Sequence, residues 1–153
     1  MARASWREKL EKRQEHEIVV VGEKWAGRFG FKKGERCLIP RPLDVDALIR
    51  KVGAGKLVTP RIIRERLARD FKVEGTCPLT TGIFINISAR AAEEDRASGR
   101  KDIAPYWRVV KDDGGLNPKF PGGIKGHAKL LREEGHTILR GKVKGFESCL
   151  ERL

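Results

Sequence analysis

Residues 59–71 have the sequence TPRIIRERLARDF, which predicts a helix with one apolar and one basic face. Threonine is a favourable N-cap, and proline in the next position already has the φ value of a first helical turn. Ile63, Leu67 and Phe71 recur at the helical period, so we expect them to face the interior. The other face carries Arg61, Arg64, Arg66 and Arg69, which makes it strongly basic.

The segments on either side of this helix predict two more helices. Apolar residues recur at helical spacing over residues 43–52, and Gly53 ends that pattern. Pro78 can open a third helix, whose early part at residues 83–85 is apolar nearly all round and therefore mostly buried. The central helix and the third helix, joined by a short connection, are typical of a helix-turn-helix.

Shorter signals fill the rest of the chain. β-Branched residues 18–21 predict a strand, as do residues 107–110 and 137–139. A turn at residues 112–115 and a last helix that stops at Gly135 lie between the later strands. We therefore predict an α+β fold consisting of a single winged-helix (helix-turn-helix) domain with a small sheet.

The predicted boundaries divide the chain into three parts. Residues 1–40 are an N-terminal extension, which begins with a capping box at Ser5, residues 41–140 are the winged-helix domain, and residues 141–153 are a basic C-terminal tail. A chain of 153 residues is long enough to bury one core, and we expect a monomer.

Charge and cysteine usage restrict the functional classes. The formal net charge is +12, which favours a polyanionic partner and in particular double-stranded DNA. The cysteines are three in number and far apart, so we expect no disulfide framework, no metal site and no cofactor. No apolar run is long enough for a signal peptide or a bilayer span, and we expect a cytoplasmic protein that binds no membrane.

Basic side chains and two hydroxyls are the candidate phosphate contacts. Lys56, Arg61 and Arg64 belong to a one-sided basic cluster, which is either a DNA-contacting face or a solvated helix face. Thr80 and Thr81 lie at the start of the third helix, where hydroxyls and backbone N–H groups either bind phosphate or cap the helix.

Three motifs, taken together, resemble a known family. Residues 105–110 have the sequence PYWRVV, a Gly-Gly pair follows at 122–123, and residues 130–135 have the sequence LLREEG. With the segment VGAGKLVT at 52–59, residues 42–139 resemble the DNA-binding, active-site domain of methylated-DNA–protein-cysteine alkyltransferases. They are more similar to its alkyltransferase-like branch, which lacks the acceptor cysteine. The resemblance implies DNA binding in DNA repair.

The departures from the enzymes concern their chemistry. Tyr106 occupies the position of the acceptor cysteine, and Trp107 that of the activating histidine. Alkyl transfer needs a thiolate, and a phenol with an ordinary pKa of about 10 does not replace it at neutral pH. The resemblance therefore implies a non-catalytic protein. Glu134 matches the glutamate of the enzymes' hydrogen-bond relay.

The resemblance also assigns candidate DNA-handling positions. Leu79 corresponds to the arginine that fills the gap left by a flipped nucleotide, and Gly82 corresponds to the helix glycine. A leucine wedge can still intercalate between bases. Pro60 replaces the tyrosine that pushes the phosphate, so base flipping is not implied for this chain.

The lesion-pocket residues have two interpretations. Tyr106 and Trp107 are either the floor of a pocket that stacks a modified base, or two core aromatics. Arg108 is either a charge at the pocket mouth or a fork that fixes a loop through bidentate bonds. Together with Glu134 they form the predicted lesion pocket.

Three functional hypotheses follow. The first is a non-catalytic protein that binds double-stranded DNA, senses alkylated guanine and has DNA-repair proteins as partners. The second is a cysteine-dependent DNA alkyltransferase that uses Cys77, at the start of the third helix, as a relocated acceptor. The third is a protein-interaction module on the same scaffold.

Overall fold

The computed structural model describes residues 5–12 and 15–153. Within them the chain has an α+β fold, as predicted, with five α-helices and two small sheets. The helices are α1 (Trp6–Glu11), α2 (Pro42–Ile49), α3 (Pro60–Phe71), α4 (Pro78–Ala97) and α5 (Gly123–Glu133). The strands are β1 (Glu17–Val20), β2 (Arg36–Ile39), β3 (Gly75–Thr76), β4 (Ile138–Leu139) and β5 (Lys142–Val143).

The helix starts follow the local sequence signals. The Ser5 hydroxyl accepts from the Glu8 N–H at 3.0 Å and the Glu8 carboxylate accepts from the Ser5 N–H at 3.1 Å, which is the predicted capping box. Thr59 caps α3 by accepting from the Ile62 N–H at 3.3 Å. Pro60 and Pro78 each occupy the first turn of their helix.

The larger sheet joins the N-terminal segment to the connection between α3 and α4. Strand β1 pairs antiparallel with β2, and β2 pairs parallel with β3 through Cys37–Gly75 and Leu38–Thr76. Leu38 is fully buried. Residues 36–39 therefore contribute to the same core as the helices that follow them.

Helix α1 is fixed to α4. Leu10 is buried, and the backbone N–H groups of Trp6 and Arg7 donate to the Glu94 carboxylate at 3.0 and 3.1 Å. These bonds hold the pKa of Glu94 below its usual value.

The predicted strand at residues 107–110 is wrong. Tyr106–Arg108 forms a 3₁₀ turn, in which the Arg108 N–H donates to the Pro105 carbonyl at 3.1 Å and the Val109 N–H to the Tyr106 carbonyl at 2.9 Å. Only a single parallel bridge between Val58 and Val109 remains of sheet pairing. The local turn takes the backbone groups that a strand would have used.

The C-terminal residues close a second core. Leu57, Val110, Leu131 and Val143 are buried together, and Leu150 packs against them. The Leu57 N–H donates to the Cys149 carbonyl at 2.8 Å, and the Leu57 carbonyl accepts from the Glu151 N–H at 2.7 Å. Residues 146–151 therefore lie along the segment that precedes α3.

Substitution of Gly114 tests how tightly this second core is packed. Gly114 has φ +83°, and an added Cβ would overlap the Phe146 ring. We expect Gly114→Ala to lower the free energy of unfolding by about 3 kcal/mol, from backbone strain and overpacking combined. The matched control is Gly99→Ala, with φ +88° and open space around the site, which should cost about 1 kcal/mol. Equal losses in urea unfolding would contradict the packing described for Phe146.

Candidate nucleic-acid interface

The N-terminal half of α4 presents an apolar pair to solvent. The side chains of Leu79 and Ile83 are 63% and 48% exposed, and their spacing of four residues places them side by side on the helix. Gly82 lies between them without a side chain of its own. Large apolar side chains that are neighbours on an exposed helix face are typical of a binding surface.

This pair borders a cleft of about 430 Å³. One wall is α4, through Leu79, Ile83 and Asn86, and the other is formed by the segments 109–111 and 117–119. Lys111 and Lys119 are both exposed residues of this second wall. The cleft therefore combines an apolar helix face with a basic rim.

The predicted basic face of α3 divides into paired and unpaired groups. The Arg66 guanidinium lies 3.0 Å from the Asp70 carboxylate, and Arg69 donates to the Leu153 carbonyl. By contrast, Lys56, Arg61 and Arg64 take part in no ion pair within residues 5–12 and 15–153. Three cations near the start of α3 therefore remain available to an anionic partner.

Two hydrogen bonds fix the backbone at Arg61 and Arg64 without using the guanidinium groups of these residues. The Arg61 N–H donates to the Asp112 carboxylate at 3.1 Å, and the Arg64 carbonyl accepts from the Thr76 hydroxyl at 2.8 Å. The first bond ties α3 to the turn that follows the 3₁₀ segment, and the second ties it to β3. Both basic side chains are thus carried on a rigid support.

The structure corrects the phosphate-binding prediction for Thr81. This residue is fully buried, and its hydroxyl donates to the Cys77 carbonyl at 2.8 Å, within the first turn of α4. Thr80 is half-buried and makes a longer contact of 3.4 Å with the same carbonyl. Neither interpretation describes Thr81, because its hydroxyl bonds back to a carbonyl four residues earlier, does not reach the surface and accepts no backbone N–H of the helix start.

Tyr106 is not the floor of an open pocket. Its side chain is 1% exposed, and the ring packs edge-on against Phe120 and Trp107, with centroid separations of 5.2 and 5.4 Å. The hydroxyl donates to the Glu93 carboxylate at 2.7 Å. Burial, reinforced by that carboxylate, raises the pKa of the phenol well above its usual value. A base cannot stack on this ring in this conformation.

The other three predicted pocket residues form one hydrogen-bonded cluster. The Trp107 indole N–H donates to Glu134 at 3.0 Å, and the Arg108 guanidinium binds both carboxylate oxygens of Glu134. A further N–H of Arg108 donates to the Val52 carbonyl. This is the fixing role considered for Arg108, since its fork joins the end of α2 to the end of α5.

The charge of Glu134 is stabilised inside this cluster. Burial alone would raise the pKa of its carboxyl, but the hydrogen bonds from Arg108 and Trp107 outweigh burial and bring the pKa below its usual value. The carboxylate is thus held by structural donors. The Trp107 indole supplies a donor to this cluster but no base.

His127 is a structural residue in the interior. It is fully buried on α5, its Nδ1 accepts from the Asn117 N–H at 3.1 Å, and its Nε2 lies 2.7 Å from the Trp107 carbonyl. These partners assign the proton to Nε2. Burial lowers the pKa of the imidazole, so His127 is neutral at pH 7. In the sequence, the feature that indicates burial of His127 is its position four residues before Leu131, on the apolar face of the helix.

Cys77 faces away from the cleft. It is the N-cap residue of α4, and it lines a separate apolar cavity that it shares with Cys37, between the larger sheet and the loop that follows β1. The cleft beside Leu79 is lined by other residues. A thiol in this position does not meet a base held in the cleft, which argues against the relocated-acceptor hypothesis.

Among residues 5–12 and 15–153, no three His, Cys, Asp or Glu side chains are grouped as they would be around a metal ion. In the same part of the chain, no helix has both the length and the apolarity that a bilayer crossing requires.

Comparison of the chain with known protein families, curated proteins and solved structures gave no match. The resemblance to alkyltransferase-like proteins therefore stays a prediction based on the motifs at residues 52–59, 105–110 and 130–135.

The Glu134 cluster can be tested through the pH dependence of stability. We expect Glu134→Gln to lower the free energy of unfolding at pH 7 by about 2 kcal/mol, because bonds to a charged acceptor are the stronger ones. A carboxyl whose pKa is lower in the folded state stabilises the protein above the unfolded pKa. That stability is lost as the pH falls through the folded pKa.

Urea unfolding between pH 7 and about pH 3 measures both effects. The variant should lose less stability on acidification than the wild type. Glu133→Gln is the matched control, since Glu133 is the exposed neighbour, and it should behave like the wild type. Parallel acid profiles for Glu134→Gln and the wild type would contradict the stabilised carboxylate.

Proposed function

We propose that this protein binds double-stranded DNA without modifying it, with α3 and α4 acting as the helix-turn-helix of a winged-helix domain. The observation that carries the proposal is the exposed pair Leu79 and Ile83 beside a cleft rimmed by lysines. Unpaired cations on α3 extend the basic surface next to it. Phosphate neutralisation supplies affinity, and apolar side chains supply contacts with the bases.

The apolar pair favours insertion between bases over hydrogen-bonded reading of base edges. Recognition in the major groove uses polar side chains such as arginine and asparagine, whereas minor-groove proteins insert leucine or isoleucine wedges that unstack a base step. Leu79 and Ile83 are of the second kind. A modified guanine stacks or pairs less well than a normal one, so it is opened at a lower cost, and we propose it as the preferred target.

Several features support a binding role without catalysis. Position 106 has no thiol, Tyr106 is buried, and the Glu134 carboxylate is occupied by Arg108 and Trp107. The cleft beside α4 is a receptor of suitable polarity for an extrahelical base, and it lies outside this cluster. We infer a sensing function in DNA repair, in which the bound complex attracts repair proteins.

A second candidate function rests on the same apolar pair. Leu79 and Ile83 are also suited to a protein partner that buries them, which would make the domain an interaction module. The salt dependence of binding distinguishes the two, because a DNA complex releases counterions from each neutralised phosphate and an apolar protein contact does not.

Fluorescence anisotropy with a blunt duplex and a matched duplex containing O6-methylguanine tests the proposal. Both should bind at low salt, the modified duplex more tightly, with affinity falling steeply as salt rises. Lys119→Ala should weaken binding to both and reduce the salt slope by about 1, because it removes one phosphate contact. Leu79→Ala should weaken binding severalfold with the slope unchanged, because it removes apolar contact alone.

The matched control is Lys144→Ala, an exposed lysine next to β5 that lies outside the cleft. It should leave both affinities close to those of the wild type. Absence of binding to either duplex at low salt would refute the proposal. Equal affinity for the two duplexes would refute the sensing of modified guanine and leave DNA binding.

A further inference from the structure

The loop between β1 and β2 displays aromatic rings on the surface. The side chains of Trp25 and Phe29 are 55% and 58% exposed, although a folded chain normally buries most of the surface of such side chains. This loop belongs to the N-terminal segment, outside the surface formed by α3 and α4. Its aromatic character has no role in the duplex contact proposed above.

The backbone of the loop fixes how Phe29 is presented. Phe29 has φ +53°, in the left-handed region that residues other than glycine seldom occupy, and it lies between Gly27 and Gly30, which also have positive φ. The Gly27 N–H donates to the Phe31 carbonyl at 2.7 Å, and the Phe31 N–H donates back to the Arg28 carbonyl at 3.0 Å. An unfavourable conformation is thus held by local bonds while the ring stays in solvent.

Phe29 and Phe31 separate two concave surfaces. On one side is the apolar cavity of about 170 Å³, which Trp25 and Cys37 also line. On the other side is a groove of about 220 Å³ that reaches α3 at Arg61 and Arg64. Glu35, Glu65 and Glu74 also line this groove, so its carboxylates outnumber its two guanidinium groups, although Arg36 engages Glu74 at 3.2 Å. The groove is therefore not a cationic surface, and the apolar cavity is the side on which the aromatic rings meet the loop's own charges.

The charge of the loop suits an anionic partner. The loop, residues 21–35, contains four basic residues and two acidic ones, Glu23 and Glu35, and Glu23 is paired with Lys33 at 2.9 Å. The Arg28 guanidinium lies 4.9 Å from the centroid of the Trp25 ring. A protein partner with an apolar surface would gain nothing from this excess of positive charge, whereas a polyanion with flat apolar groups uses both features.

We propose that this loop is a binding site for single-stranded DNA. Unpaired bases stack on Trp25 and Phe29, and the phosphates lie toward the exposed basic residues of the loop itself, Lys24, Arg28 and Lys32. Aromatic platforms beside positive charge are the general solution for binding unpaired bases without sequence preference. A duplex does not use the rings, because its bases are already stacked and paired. Trp25 and Phe29 lie outside the proposed duplex surface.

Binding of a labelled deoxythymidine oligonucleotide of about 12 nucleotides tests the site, since that length covers a typical single-strand footprint. Trp25→Ala and Phe29→Asn should each weaken it at least about fivefold, the factor that corresponds to roughly 1 kcal/mol for one stacked base. Trp25→Phe keeps a ring and should bind nearly as well as the wild type. Asparagine is chosen at position 29 because it tolerates the left-handed backbone.

Leu139→Ala is the matched control, because Leu139 is an exposed apolar residue on the smaller sheet, outside the loop and both of its clefts. It should leave oligonucleotide binding unchanged. Circular dichroism and thermal unfolding of each variant should match the wild type, since the substituted rings are more than half exposed. A blunt duplex should bind all the variants equally well.

Four results would overturn the proposal. They are unchanged oligonucleotide binding after loss of either ring, an equal loss of duplex binding, tighter binding of the corresponding uridine oligonucleotide, and equal weakening by Leu139→Ala. The outcome is separable from that of the duplex proposal. If the protein does not bind duplex DNA but binds the oligonucleotide through Trp25, the result supports the single-strand site and refutes the duplex proposal.

Discussion

The guanidinium of Arg108 is the contact on which the arrangement of this protein depends. Its fork binds the Glu134 carboxylate at the end of α5, and another N–H binds the Val52 carbonyl beyond the end of α2. A half-buried cation is costly to desolvate unless its donors are satisfied, and here they are satisfied by groups far apart in sequence. The 3₁₀ turn at residues 106–108 is therefore fixed to the end of α5 and to the segment that follows α2. This places Val109 and Val110 beside the segment that leads into α3.

Around Arg108, the polar side chains of the interior have structural roles. Trp107 shares Glu134 with Arg108, His127 bridges the Trp107 carbonyl and the Asn117 N–H, and Tyr106 bonds Glu93. Each of the polar groups just named has a protein partner, so these groups hold the interior together. The surface, where Leu79 and Ile83 lie beside unpaired cations, carries the features that a partner can reach. The proposed function therefore lies in binding.

Local signals predicted much of this fold, and long-range contacts account for what was missed. The capping box at Ser5, the N-cap at Thr59 and the prolines that open α3 and α4 act within one turn, so the sequence alone places those helix starts. The strands β3 and β5, which were not predicted, have two residues each, too few for a period of two to be recognised, whereas β4 lies within the predicted strand at residues 137–139. Residues 149–151 pair with Leu57 across more than 90 positions, which no local pattern reveals.

The site was predicted in part for a similar reason. The fixing role of Arg108 was foreseeable because arginine and carboxylate have matching bidentate geometry. The burial of Tyr106, Thr81 and His127 was not, because each side chain is as compatible with a surface as with a core in which partners are present. Those partners, Glu93, the Cys77 carbonyl and the Asn117 N–H, are brought into place only by tertiary packing.

Hydrogen exchange of backbone amides, measured by mass spectrometry with and without a blunt duplex, tests the duplex surface most directly. Bound DNA should slow exchange in residues 78–86, 109–111 and 117–119, the segments that line the cleft, and leave residues 138–143 of the smaller sheet unchanged. Protection confined to residues outside the cleft, or a duplex that binds without altering exchange at α4, would contradict the account.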